Sequence, residues 1–452
     1  MSSAWKENTN DEVKNVAKIP NNSYNLNIIY NCIIYILNAI PFRAISRVLQ
    51  SMPVYEDSNT PVWQTVRMWF LRIGYYQLLK PKEKANDWIW IIDHTIQIGV
   101  EKCLVVLGIR EKDLPIGRAL QYSDLEPIEL VPVKKSNGDI VYEQLLSCTD
   151  KTGIPCQIVS DEGSDLKSGI NKYIEKFNDV IHTHDMKHAL ALILKKYFSI
   201  NEKWSEFTQL SAATKQNVQQ TIFAPLAPVN QRSKSRYMNI DVIINWAKKT
   251  LLLCKNNNLL PSEMITNIEQ FNNKFAWILN FEEEINDWVL VLQMVKTVEH
   301  YLRTEYLISN SLEQIHALLP DVRNYNLSTN IKVEILNFIA RSTSQLDRGK
   351  KYLATSEIIE SLFGKYKNIE KEHSKSGFSS LILGMPALVG KITPQVVMKA
   401  LTSYKVKDIQ QWLDTNLGKT IQSKRATIAN KIKTHLGLSW SKITNASVAL
   451  AA

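Results

Sequence analysis

Long apolar runs are lacking in this chain. The most apolar stretch near its start, residues 28–40, is broken by Asn31 and Asn38 and falls short of the roughly 20 residues a membrane span requires. No basic segment with a cleavage site accompanies it, so no signal peptide is indicated and a cytoplasmic protein is expected. Cysteine is scarce: Cys32, Cys103, Cys148, Cys156 and Cys254 are odd in number, scattered and never spaced as Cys-x-x-Cys. Neither a disulfide framework nor a zinc site follows from them. Glycine is absent between Gly169 and Gly349, which points to a long helical region.

What is present is a globular composition, 45% hydrophobic and 22% charged, over 452 residues. That length implies two to four domains at about 100 to 200 residues each. The formal charge of +10 is unevenly spread: residues 361–452 hold 14 Lys and Arg against 4 Asp and Glu, and the preceding 360 residues balance at 40 of each sign. A basic C-terminal segment beside a neutral body suits a polyanion such as DNA, although a solvated lysine-rich surface has the same composition.

Period-2 and β-branched runs at residues 88–92, 103–109, 128–133, 156–159 and 180–181 predict five strands. Helical patterns fall at 140–148 and along Leu166, Ile170, Tyr173, Ile174 and Phe177. Three strands followed by helix, strand, helix, strand, helix predict an α/β layer of the ribonuclease H type. Segments 242–254, 261–279, 282–304 and 332–340 repeat apolar residues at helical spacing, predicting an all-α block over 200–345.

Upstream, three helical patterns occupy residues 25–40, 43–51 and a third with Thr60 as N-cap, Pro61 at its first position and Gly74 just past its end. Val62, Val66, Trp69, Phe70 and Ile73 form its inward face and leave Gln64, Thr65, Arg67 and Arg72 on or near the outer one. Two readings fit: a helix-turn-helix DNA reader whose contacts are those four residues, or a plain three-helix bundle packed on the core.

Three carboxylates stand in places where burial without a partner is costly. Asp93 terminates Trp-Ile-Trp-Ile-Ile, and Asp161 terminates Cys-Gln-Ile-Val-Ser. In a ribonuclease H type of sheet the fourth strand lies beside the first, which would bring the two aspartates together. Glu162 and Asp165 compete, but they fall at the start of the next helix, where acids are favoured by the dipole alone. Glu360 lies in Thr-Ser-Glu-Ile-Ile-Glu-Ser-Leu-Phe-Gly-Lys-Tyr-Lys, out of capping-box register with Ser356, while Glu357 takes the dipole-favoured first turn. Lys367 is two helical turns further along the same face, where a cation can hold a phosphate.

Ile-Ile-Asp93, Ile-Val-Ser-Asp161 and the Glu360-x6-Lys367 helix resemble the three signatures of DDE transposases from bacterial insertion sequences. The spacing is also similar to the end of a Tyr-Arg-Glu-Lys signature, from which the chain departs with Ser356 at the Arg place and Leu353 at the Tyr place. The resemblance implies catalysis by Asp93, Asp161 and Glu360 holding two Mg²⁺ ions, with Mn²⁺ as a substitute. It implies cleavage of transposon ends, strand transfer into double-stranded target DNA, a homodimer or larger assembly on DNA, and a nucleoid-associated place in the cytoplasm. The expected layout is an arm at 1–20, the DNA-binding unit at 21–80, the core at 81–199, the helical insertion at 200–345, final core helices at 346–385 and a basic helical region at 386–452. A nuclease of the same fold without strand transfer, or a non-catalytic DNA-binding regulator, are the rival expectations.

His182, His184, Asp185 and His188 form a second cluster of metal-ligand types. They straddle a strand-to-helix junction, where Asp185 can cap the helix, so a place for Asp185 and His188 at the rim of the carboxylate site is the reading preferred to zinc. Trp246, Trp277 and Trp288 are read as core residues, with stacking on an unpaired base as the alternative.

Overall fold

The computed structural model describes residues 19–20, 22–52, 60–98, 101–161, 163–229, 240–371, 379–417 and 421–436. Most of the expected arm at 1–20, Glu162 and the last sixteen residues of the basic region lie outside the described residues.

Five strands form one mixed sheet: β1 (Trp88–Ile98), β2 (Glu101–Arg110), β3 (Glu126–Val133), β4 (Gln157–Ser160) and β5 (Ile181–His184), in the spatial order β3-β2-β1-β4-β5. The first three pair antiparallel and β4 and β5 add in parallel on the β1 side. Parallel addition needs crossovers, and these are the helices α4 (Gly138–Thr152), between β3 and β4, and α5 (Ser164–Lys176), between β4 and β5. The result is a five-stranded mixed sheet with many helices, compatible with an α/β nuclease-like core.

Alternation along β1 divides the molecule. Trp88, Trp90 and Ile92 point into a core shared with Val141 and Leu145 of α4 and Leu166, Ile170 and Tyr173 of α5. Ile89 and Ile91 point the other way, into a larger core built with α1 (Leu26–Leu37), α2 (Phe42–Gln50) and α3 (Trp63–Leu79). The early helices are therefore not set apart from the sheet: they cover one of its faces. Gly74, read in the sequence as marking a helix end, lies inside α3. A Cβ there would overlap the carbonyl oxygen of Leu383, and one on Gly384 would overlap the ring of Phe70. Here glycine serves close approach to the buried 3₁₀ stretch at Ser380–Leu388 rather than helix termination. The boundary expected at residue 385 falls within that stretch.

A second core belongs to the helical block. It begins with α6 (Met186–Phe198), earlier than the expected residue 200, because Met186, Leu190, Leu194 and Phe198 face the block. Next come α7 (Glu202–Val218) and α8 (Asp241–Lys255), then the short α9 (Ser262–Ile265) and α10 (Ile268–Phe275). The long α11 (Glu282–Thr304), α12 (Ser311–Leu318) and α13 (Asn326–Thr343) complete it. Among the described residues its only extended pairing is a bridge between Leu307 and Tyr352. Trp204 packs edge-on against Trp288 at 4.8 Å between centroids, and Phe207 contacts Trp246, Trp277 and Trp288. The Trp246 and Trp277 N–H groups donate to Leu226 O and Thr214 Oγ1, each at 2.9 Å. These indoles are packing residues.

The chain then returns to the sheet as α14 (Glu357–Lys371), followed by α15 (Pro394–Ser403), α16 (Val406–Asn416) and α17 (Ile421–Leu436). Leu362, Phe363 and Tyr366 of α14 lie in the same core as Ile89 and Ile91. No described helix is long and apolar enough to cross a membrane.

Candidate metal centre

Register brings the acids together. Ile92 pairs with Ser160, and Ser160 with His184, so Asp93, Asp161 and Asp185 each follow a paired position on one of three neighbouring strands, the last two just past their strands' ends. One detail differs from the sequence reading: Asp93 does not end its strand. β1 runs on to Ile98, with Asp93 opposite Val105 of β2, and Asp93 marks instead the place where pairing with β4 stops. It shares the face of Ile89 and Ile91, the face that α14 covers, whereas His94 points to the other side near Asp165. Glu360 approaches from α14.

Electrostatics register the crowding. Burial, then the charge of Asp161, and behind these Glu360 and Asp185, push the Asp93 carboxyl up to about 8, against a hydrogen bond from the His94 N–H at 2.6 Å. Glu360 is likewise raised, by burial first and Asp185 next, with Lys187 and His188 opposing. Such acids are costly to leave charged and unneutralised, which is the environment a divalent cation relieves.

The four carboxylates are not equivalent. Asp185 is buried and its oxygens are filled: one caps α6 by accepting from the Lys187 and His188 N–H groups at 2.8 and 3.4 Å. The other accepts from the Ser356 hydroxyl and the Ser356 N–H. Among the described residues Asp161 accepts from the Gly163 N–H at 2.9 Å, and Asp93 from His94 alone. Glu360 has His188 Nδ1 at 3.5 Å, an atom with no hydrogen-bond partner among the described residues. Ligand atoms of Asp185, His188 and Glu360 lie within 4.8 Å of one another. Oxygen donors with open lone pairs suit Mg²⁺ or Mn²⁺, and an imidazole at the edge extends the set toward a transition metal. Asp185, whose oxygens are already taken, is the weakest member of that group, and the carboxylates with open acceptor positions among the described residues, Asp93, Asp161 and Glu360, are the ones whose chemistry fits a divalent ion.

Other expected site residues fall elsewhere. Lys367 is exposed on α14, about 10 Å along the axis from Glu360, and its charge acts on Glu370. Gln64 is exposed and Thr65 half-buried on α3. Arg67 and Arg72 are turned inward: Arg67 donates to Ser380 Oγ, and Arg72 donates to Leu401 O and, through Nε at 3.0 Å, to Tyr404 O. These bonds occupy both guanidinium groups and tie α3 to segments more than 300 residues away. Asp165 is held down to about 2; burial alone would raise it, but Lys102 at 2.7 Å, Ser136 and His94 outweigh burial. His182, pushed down to about 3 by burial and by His184, bonds Ser160 Oγ at 2.9 Å and stands apart from the carboxylates.

Sequence reasoning missed the strap that delivers Glu360. Gln157 accepts from the Leu353 N–H at 3.0 Å and donates to Leu353 O at 2.7 Å, and Thr183 donates to the same oxygen. A buried Gln in a strand of apolar residues was the available signal.

No protein-family profile matches the chain, and comparison with curated proteins finds no relative. Among solved structures it is similar to the Drosophila P element transposase strand transfer complex, at 12% identity and a TM-score of 0.39, over 87% of this chain and 98% of that one. At that degree of likeness the chemistry of the site rests on the residues of this chain alone.

Proposed function

We propose that this chain is a DNA transposase of the DDE type, with a ribonuclease H-like core interrupted by a helical insertion, in which Asp93, Asp161 and Glu360 hold the divalent metal. What supports the reading is that Asp93 and Asp161 follow paired positions of adjacent parallel strands and that the charges of Asp161 and Glu360 both act on Asp93, in an order of strands shared by ribonuclease H-like nucleases.

When bound, Mg²⁺ ions would activate an attacking oxygen and stabilise the leaving oxygen of a phosphodiester. Asp93, Asp161 and Glu360 would hold the ions, Asp93 being the acid on which the charges of the other two both act. The raised carboxyl of Asp93 favours its protonated form at neutral pH, and a bound cation would favour the charged form instead. Asp185 holds the start of α6 and of α14 in place, and His188 stands at the rim beside Glu360. Lys367 and the exposed lysines of the C-terminal helices supply phosphate contacts, with an assembly of copies on paired DNA ends.

The test is incubation of purified protein, Mg²⁺ or Mn²⁺, duplexes carrying the sequences that flank its own coding region, and supercoiled plasmid. Cleavage leaving 3′-hydroxyl ends that become joined to the plasmid supports the proposal. Cleavage without joining would indicate a nuclease, and binding without cleavage a regulator; either would overturn it.

A further inference from the structure

The chain between Tyr352 and Glu357 is tied down at nearly every residue as it returns from the helical block to the sheet. Tyr352 bridges to Leu307, Leu353 is held by Gln157 and Thr183, Ala354 O accepts from the Met186 N–H at 2.9 Å, and Ser356 is held by Asp185. The last tie comes from α11. Arg303 Nε lies 2.7 Å from Glu357 Oε2, and its Nη2 donates to Oε1 at 2.8 Å, with Lys187 Nζ at 3.2 Å on the same oxygen. A two-pronged guanidinium contact fixes direction as well as distance, which an ammonium does not.

Glu357 and Glu360 are three residues apart on α14, so both turn together if the helix rotates. A rotation of about 10° moves a carboxylate carried about 6 Å from the axis by about 1 Å. Errors of that size at an active site are felt as about 100-fold in rate. The Arg303–Glu357 pair is about a third exposed, and pairs of that kind contribute little to global stability. Its geometry therefore matters more for where Glu360 stands than for whether the chain folds.

We propose that Arg303 is a positioning residue for Glu360: through Glu357 it fixes the rotation of α14, and the helical block thereby sets the affinity of the carboxylate site for its metal. This rests on the assignment of Asp93, Asp161 and Glu360 as metal ligands.

The experiment is Mn²⁺ titration of the full-length protein without DNA, by calorimetry, on wild type, Arg303→Ala, Arg303→Lys, Glu357→Gln and the Arg303→Ala/Glu357→Gln double variant, each with its metal-free melting temperature. Arg303→Ala is expected to weaken Mn²⁺ binding by about 10-fold or more, the scale on which ligand-orienting residues act. Arg303→Lys should recover part of the loss, and the double variant should bind no more weakly than the worse single one. Unchanged affinity in Arg303→Ala, or additive losses in the double variant, would overturn the proposal. Should Arg303→Ala not fold, full wild-type affinity in Arg303→Lys would overturn it equally. Asp93→Asn separates the two levels: if it binds Mn²⁺ as wild type does, the metal assignment itself has failed.

Discussion

Ser356 gives both its hydroxyl and its backbone N–H to one carboxylate oxygen of Asp185, joining the residue before α14 to the residue that caps α6. With its other oxygen on the Lys187 and His188 N–H groups, Asp185 has no vacant acceptor position among the described residues, unlike Asp93, Asp161 and Glu360. Its role is to hold two helix starts together at the edge of the site.

Asp185→Ala should therefore cost stability whether or not metal is present. Loss of a cap costs about 0.5–2 kcal/mol, and a buried hydroxyl left without a partner adds about 1–3 kcal/mol. Glu360→Gln, by contrast, should melt like wild type in EDTA and fail to gain stability on adding Mg²⁺. Thermal melts of the two variants with and without Mg²⁺ check this, and metal-independent destabilisation by Glu360→Gln would reverse the roles.

Asp93 predicts a pH signature. Because the folded chain holds this proton up to about 8, against an ordinary value of 3.8, the metal-free protein binds more protons folded than unfolded in that window. Its contribution to stability is thus present at the acid end and is lost as pH rises toward 8. Metal binding near pH 7 should release about one proton, measurable by calorimetry in buffers of different ionisation enthalpy. Asp93→Asn should abolish the release and flatten the metal-free pH slope; an unchanged slope would show that another group carries it.

Gly74→Ala tests the packing of α3 on the 3₁₀ stretch. The added methyl meets backbone that cannot swing aside, so a loss of about 1–3 kcal/mol is expected. A variant as stable as wild type in chemical denaturation would mean that the two segments separate freely.

Arg72→Ala should act on stability as well, because it removes charge-assisted bonds to Leu401 O and Tyr404 O worth about 1.5–3 kcal/mol. DNA affinity at fixed salt should fall no further than the loss of folded protein explains. A selective loss of binding with an unchanged melting temperature would return Arg72 to a DNA-reading face.

These cases show what the sequence made legible. The strands were visible because β-branched and aromatic runs bounded by turns have few alternatives, and Asp161 was visible as the acid following one of them. The placement of Asp93 inside a longer strand was not, since His94 and Thr95 look like a turn until β2 is seen to pair beyond them. Gly74 was ambiguous because glycine serves helix ends and close approaches alike. Arg67 and Arg72 looked free because their partners are 313 and 329 residues away. The helical block starts at Met186 rather than at 200 because α6, the last helix of the alternating pattern, turns Met186, Leu190, Leu194 and Phe198 into the block's core. Glu357 was read as needing only the helix dipole, and nothing local announces that Arg303, 54 residues earlier, grips it.

The most direct measurement is a count of bound Mn²⁺ by electron paramagnetic resonance on wild type, Asp93→Asn, Asp161→Asn, Glu360→Gln and, as a control, Asp165→Asn, whose carboxylate is paired with Lys102. Two ions in wild type and in the control, with at least one lost in each of the other three variants, is the expected result. Undiminished Mn²⁺ binding in those three would contradict the assignment of Asp93, Asp161 and Glu360 as one metal centre.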